Sequence, residues 1–273
     1  MVSIVSEWWI RIVLGVIGSG FIGYVAYRKQ SLSLSGMISA MIMGTGFVLF
    51  GEPIWFSLLI VFFLSSTIWS KWKRSVAKKR EAEASYEKSS RRDAGQVWAN
   101  GGIGLLLCIA NAIIPYDGWL YAYIGVMASV TADTWATEIG ALSKSQPISV
   151  ITWKRVRSGT SGGISCLGSV ASLAGATLIG LISSLYFHLD YRYIVVGAIA
   201  GFLGAMVDSI IGARLQVMYR CNTCGEIIER KIHCGIPTQY SRGLSWMNND
   251  RVNGISSVIG GVVALGLMLI LSN

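Results

Sequence analysis

The chain has 273 residues, 53% of them hydrophobic and 14% charged, with 32 glycines and only four prolines. It is too apolar and too glycine-rich for an ordinary water-soluble domain, whereas small residues that let helices approach closely suit a helix bundle in lipid. The net charge of +9 would suit a nucleic-acid partner, but sorting of basic residues to one membrane face accounts for it, and no nucleic acid is expected.

Apolar runs long enough to cross a bilayer, about 20 residues at 1.5 Å rise per residue, recur along the chain. The first, 8–27, follows Glu7-Trp8-Trp9 without a basic leader or a small-residue cleavage site, so it is expected to remain as a helix. Runs at 33–51 and 53–70 follow. The polar stretch 70–95 mixes Lys and Arg with Glu and Ala, and is expected either to lie as a helix along the anionic inner leaflet or to form a solvated charged linker. Further spans are expected at 96–114, 119–142, 161–187, 193–215 and 254–271, with a second polar segment at 216–250. Neither polar segment is long enough to fold alone. The expectation is one membrane domain over 1–273, an all-α polytopic bundle of about eight transmembrane helices.

With the amino terminus outside, every Lys and Arg except Arg11 and Arg192 falls on inner loops or inner helix ends. The positive-inside rule therefore predicts a cell-membrane protein, inner or plasma membrane, with both termini outside and its polar loops facing the cytoplasm.

Four helix beginnings on that face carry a weak internal repeat: Ser35-Gly36, Asn100-Gly101-Gly102, Ser161-Gly162-Gly163 and Asn253-Gly254. Asn or Ser suits N-capping, and glycine exposes backbone N–H groups at positive dipole ends; close helix packing is the alternative role for the glycines. The intervening helices bring acids. Asp133 and Asp208 fall at similar depth, near the cytoplasmic ends of their spans, and a carboxylate there marks a cavity, partner or ion.

Asp133-Thr134-Trp135-Ala136-Thr137-Glu138 is followed by Lys154, Arg155 and Arg157 and then by Gly159, Thr160, Ser161, Gly162 and Gly163. Carboxylates offer Mg²⁺ its hard oxygen ligands, cations neutralise phosphate, and a glycine-rich turn offers backbone donors. This pattern fits a Mg-nucleotide or pyrophosphate site, although no Walker A sequence is present and membrane anchoring is the plainer role for the three cations. Asp93, Gln96 and Asn100, and likewise Asn249, Asp250 and Asn253, belong to the same layer; N-capping is the alternative for the two aspartates.

RRDAGQVWANGG, ADTWATEIG with KRVRSGTSGGIS, VDSIIGARLQ and NNDRVNGISS, in this order and spacing, resemble the integral-membrane family called domain of unknown function 92, which includes the phytyl-phosphate kinases of tocopherol synthesis. The resemblance runs from about residue 30 to the end. It implies transfer of a phosphoryl group from a nucleoside triphosphate to an isoprenyl monophosphate, giving the diphosphate. On that reading Asp133 and Asp208 hold Mg²⁺, joined by Asp250. Lys154, Arg155, Arg157 and the 159–163 turn bind phosphates, while Glu138, Asp93, Gln96, Asn100, Asn249 and Asn253 serve the same site. A more distant similarity to CTP-dependent polyprenol kinases favours CTP. The acceptor monoester is already mostly dianionic at pH 7, so the scarcity of histidine, only His188 and His233, does not count against the chemistry.

Cys221, Cys224, His233 and Cys234 share the second polar segment and form a candidate structural zinc knuckle, a metal-free loop being the alternative. Cys108 and Cys166 fall within spans as packing residues. Two rivals to the kinase remain: a secondary transporter, whose carboxylates would sit nearer the bilayer midplane, and a non-catalytic lipid-binding protein. Isoprenoid length, the nucleotide and any homo-oligomer stay open.

Overall fold

A computed structural model of the chain describes residues 2–73, 75–88 and 90–271, so positions 74 and 89 of the predicted polar segment 70–95 lie outside the described residues. Among the described residues, eight long helices alternate in direction: α1 (Val2–Arg28), α2 (Leu34–Phe50), α3 (Pro53–Lys71), α5 (Ala94–Ile113), α6 (Asp117–Gly140), α7 (Cys166–Tyr186), α8 (Tyr191–Arg214) and α9 (Asn249–Leu271), with the short α4 (Ala77–Ser85) between α3 and α5. Six of them, including α1 from Glu7, combine the length and hydropathy of a bilayer span; α2 is apolar but has 17 residues, and α6 has 24 residues and lies at the centre. The predicted all-α membrane bundle of about eight spans is the fold.

The helix starts follow their capping chemistry. Ser33 accepts from the Gly36 amide ahead of α2, and Ser165 accepts from the Gly168 amide ahead of α7. Asp93 and Gln96 form a reciprocal capping box on α5. These caps correct the expected beginnings. Helix α5 starts at Ala94, so Asn100 and Gly101 lie inside it; α9 starts at Asn249, so Asn253 is also internal. Helix α7 starts at Cys166, because Gly159 and Gly162 at φ 83° and 79° hold the preceding stretch in a left-handed turn that no helix can include.

Helix α6 packs against α3, α5, α7, α8 and α9. Its residues Tyr121 to Ala132 are buried without interruption, as expected of a helix surrounded by others. Backbones meet closely where side chains vanish. A Cβ on Gly125 would lie 2.4 Å from the Gly260 carbonyl of α9, and one on Gly197 would lie 2.6 Å from Gly180 Cα of α7. Dispersion between such close backbones drives helix association in lipid.

Four polar connections gather at one end of the bundle. The first, 29–33, is tied to the second by the Ser33 amide on the Arg92 carbonyl and the Arg92 amide on the Ser31 carbonyl. The second contains α4, whose Lys79, Ala82 and Ser85 are buried along one face. Lys79 pairs with Glu138 of α6 at 2.7 Å and donates to the Trp69 carbonyl at 2.6 Å. Helix α4 therefore packs on the bundle, where its buried lysine finds its counter-charge on α6. The third connection forms an arm from β1 (Ile148–Ser149) to β2 (Gly163–Ile164), which pair antiparallel. The fourth adds small ribbons to the helical fold: β3 (Met218–Arg220) sits between β4 (Ile227–Ile228) and β7 (Gln239–Arg242), and β5 (Ile232–His233) pairs with β6 (Ile236–Pro237).

Candidate active site

A polar cavity of about 250 Å³ opens at the looped end, between α6 and α8 and beneath α4. Asp133 and Asp208 both line it. They stand seven and six residues from the carboxyl ends of α6 and α8, so a rise of about 1.5 Å per residue puts both about 10 Å below the helix ends. Asp208 is 9% exposed and accepts from Ser256 Oγ of α9 at 2.8 Å. Asp133 accepts no hydrogen bond from the described residues. Asn253 also faces the cavity, and its Oδ1 is buried without a hydrogen-bond partner among the described residues. Two carboxylates and an orphaned carbonyl oxygen are the hard donors that a small divalent cation takes.

A further carboxylate, outside the predicted set, also lines the cavity. Glu229, just beyond β4, is 7% exposed and reaches the cavity beneath α4. Its Oε2 accepts from the Glu87 amide at 3.1 Å, its own amide donates to the Ser85 carbonyl at 3.0 Å, and burial pushes its carboxyl up to about 7. Arg230 beside it donates to the carbonyls of Tyr86 and Glu83. Residues 229 and 230 thus clamp the end of α4 over the site. No local motif betrays Glu229, since it depends on where a long loop folds back.

The predicted glycine-rich turn is at the cavity: Gly159, Thr160, Ser161, Gly162 and Gly163 all line it. Gly162 packs on α8, where a Cβ would come 2.4 Å from that of Ala213, and Ser161 Oγ donates to Gln216 Oε1 at 2.7 Å. It is a turn ahead of α7 and not a helix beginning.

The predicted cations are elsewhere. Lys154 and Arg155 are exposed at the tip of the β1–β2 arm, beside Trp153 at 74% exposure. Arg157 is exposed too and pairs with Glu81 at 2.7 Å and with Glu226. None of the three lines the cavity. Pairing of β1 with β2 keeps the base of the arm at the site and carries its tip away. The cations that do line it are Lys88 and Arg92. Lys88 bridges Asp93 at 3.0 Å and Asp250, and these partners hold its ammonium above the usual lysine range against the opposing effect of desolvation. Asp93 and Asp250 are accordingly an N-cap and an ion-pair partner, neither lining the cavity. Glu138 does line it, while bound to Lys79 and to Ser70 Oγ at 2.6 Å.

Gln96, Asn100 and Arg92 stand at a junction. The same three residues also line a second, apolar pocket among α1, α2, α3 and α5, walled by Ile22, Met43, Phe56, Leu59, Ile60 and Phe63. Arg92 is 8% exposed there, donating to Thr67 Oγ1 at 3.1 Å with Phe62 and Phe63 rings about its guanidinium.

Beyond the cavity, Cys221, Cys224, His233 and Cys234 converge at the ribbons, each offering a ligand atom within 4.8 Å of the others. The backbone N–H of Cys224 and the His233 imidazole bring the Cys221 thiol down to about 6.

Comparison with known proteins agrees with the membrane assignment. The family profile described as integral membrane protein DUF92 matches residues 17–261. Protein PGR of Arabidopsis thaliana is 29% identical, over 91% of this chain and 93% of its own. An uncharacterized membrane protein of Methanocaldococcus jannaschii is 30% identical over 95% of each. Protein VTE6, chloroplastic, of Arabidopsis thaliana is 24% identical, over 86% of this chain and 64% of its own. No solved structure matches the chain.

Proposed function

The chain belongs to the integral membrane family DUF92, and on that premise we propose that it is an isoprenyl-phosphate kinase, transferring the terminal phosphoryl group of a nucleoside triphosphate to an isoprenyl monophosphate. The observation that carries the reading is the junction at Arg92, Gln96 and Asn100 between a polar, carboxylate-lined cavity and an apolar pocket. A substrate with a phosphate head and a hydrocarbon tail matches both chambers at once. The motif resemblance to phytyl-phosphate kinases supports the same reaction, and its echo of polyprenol kinases favours CTP as donor.

In this reading an oxygen of the acceptor phosphate attacks the γ-phosphorus, the bond to the β-bridging oxygen breaks, and the nucleoside diphosphate leaves. The acceptor is largely dianionic at neutral pH, so no strong base is required. Asp133 and Asp208, with Asn253 Oδ1 as a third oxygen, would hold Mg²⁺, which when bound neutralises charge on the transferring phosphates. Arg92, already buried at the junction, meets the acceptor head, and Lys88 adds a second positive charge on the cavity wall. The 159–163 turn borders the space left for the nucleotide phosphates. Lys154 and Arg155 stay outside this machinery and, with Trp153, suit the membrane interface. The orientation that suits the reading puts the cavity on the cytoplasmic side, where nucleotides are.

Purified protein incubated with γ-labelled CTP or ATP, Mg²⁺ and farnesyl, geranylgeranyl or phytyl monophosphate should yield labelled isoprenyl diphosphate. Absence of product with every donor and acceptor pair, from protein that remains folded, would refute the kinase.

A further inference from the structure

We propose that Cys221, Cys224, His233 and Cys234 bind one zinc ion as a closed structural site, and that this ion pins the ribbon carrying Glu229 over the cavity. The proposal stands on residues that take no part in the kinase reading. Three thiols and one imidazole are a complete structural zinc set. Bond lengths of about 2.3 Å to sulfur and 2.0–2.1 Å to nitrogen in a tetrahedron place neighbouring ligand atoms about 3.5–3.8 Å apart. The sulfurs of Cys224 and Cys234 lie 3.5 and 3.4 Å from His233 Nδ1, and all four ligand atoms fall within 4.8 Å of one another.

The backbone is built to present them. Gly225 at φ 76° closes the Cys221 to Cys224 turn, in which the Gly225 amide donates to the Cys221 carbonyl at 2.9 Å. On the other side, Cys234 and Gly235 at φ 51° and 78° are the two central residues of the turn joining β5 to β6, the doubly left-handed form that favours Asn-Gly. A cysteine occupies the Asn position. That conformation swings Cys234 round so that it and its neighbour His233 face the same point, which adjacent residues on a flat strand cannot do.

What the ion would hold is the route from Cys224 to His233, a span that contains Glu229 and Arg230. Those two residues make four of the hydrogen bonds that clamp residues 83–87 of the cap. Losing the ion would release the ribbon and the end of α4 together, leaving α6, α7 and α8 packed.

The test uses the full chain in detergent, purified without added metal and without a metal-affinity tag. Elemental analysis should find about one zinc per chain, unchanged in Cys108→Ser and lost in Cys224→Ser. Cobalt exchanged into the wild-type protein should give intense sulfur-to-metal charge-transfer bands with tetrahedral d–d absorption, a readout that does not depend on any variant folding. After chelation, amide exchange should quicken at 218–242 and 83–87 while α6 to α8 keep their protection. Zinc near zero, a disulfide found among the three cysteines, or zinc retained in both Cys224→Ser and Cys234→Ser would overturn the site. Zinc present with exchange unaltered by its removal would overturn the pinning.

Discussion

Asp133→Asn keeps the volume of the side chain and removes one negative charge from the cavity. If the carboxylate ligates a cation that neutralises transferring phosphate, turnover should fall by about 10²-fold or more while the protein still folds, measured as product formed at saturating Mg²⁺. Wild-type turnover would sink that role. Glu229 allows a different measurement, because burial raises its carboxyl from 4.5 to about 7. Between those values the folded chain holds a proton that the unfolded chain has released, so stability contributed by this residue is full below about pH 4.5 and falls as pH rises to about 7. Thermal midpoints of the metal-replete protein should therefore drop across that window more steeply in wild type than in Glu229→Gln; parallel curves would contradict it. Asp133 and Asp208 were legible in the sequence because helical rise converts spacing directly into depth. Glu229 was not, since its position is set by a hydrogen-bonded return of the chain across more than 140 residues. The placement of the basic run at 154–157 away from the cavity is unreadable for a related reason: charge type can be read from the sequence, but the arm that carries the run is visible only in the pairing of two-residue strands.

Among elements, α4 depends on the pair between Lys79 and Glu138, with side chains 2% and 16% exposed. Removing one partner of a buried pair strands the other, at a typical cost of about 3–5 kcal/mol. Lys79→Ala and Glu138→Ala should each lower the unfolding midpoint, and the double variant should lose distinctly less than their sum. Additive losses would mean that the pair does not anchor the cap. The crossing of α6 and α9 should be as intolerant: Gly125→Val pushes a side chain into the Gly260 carbonyl, and should leave protein that inserts but unfolds in mild detergent. Helix existence and order were legible from apolar run length alone. Helix beginnings are legible only as alternatives, because Asn100 and Asn253 resemble caps as much as Asp93 does, and only the structure shows Asp93 and Asn248 capping a full turn or more earlier.

At the scale of the whole molecule, the charge sorting along the chain predicts that the ends of the bundle face different compartments. Single cysteines at Asp117 and Lys154, in a background without the other cysteines, should react with an impermeant reagent from opposite faces of sealed vesicles. Reaction of both from one face would break the alternation of eight helices. The pairing of a polar cavity with an apolar pocket bears on how activity must be measured. If the proposed kinase reaction holds, a tail lodged among α1, α2, α3 and α5 would reach its place sideways, out of the surrounding amphiphile, and the protein would sample a two-dimensional solution of its acceptor. Rates should then follow the mole fraction of isoprenyl phosphate in micelle or bilayer and not its amount per volume. Adding inert detergent at constant total substrate should slow the reaction by surface dilution, while the same addition leaves saturation by the water-borne nucleotide unchanged.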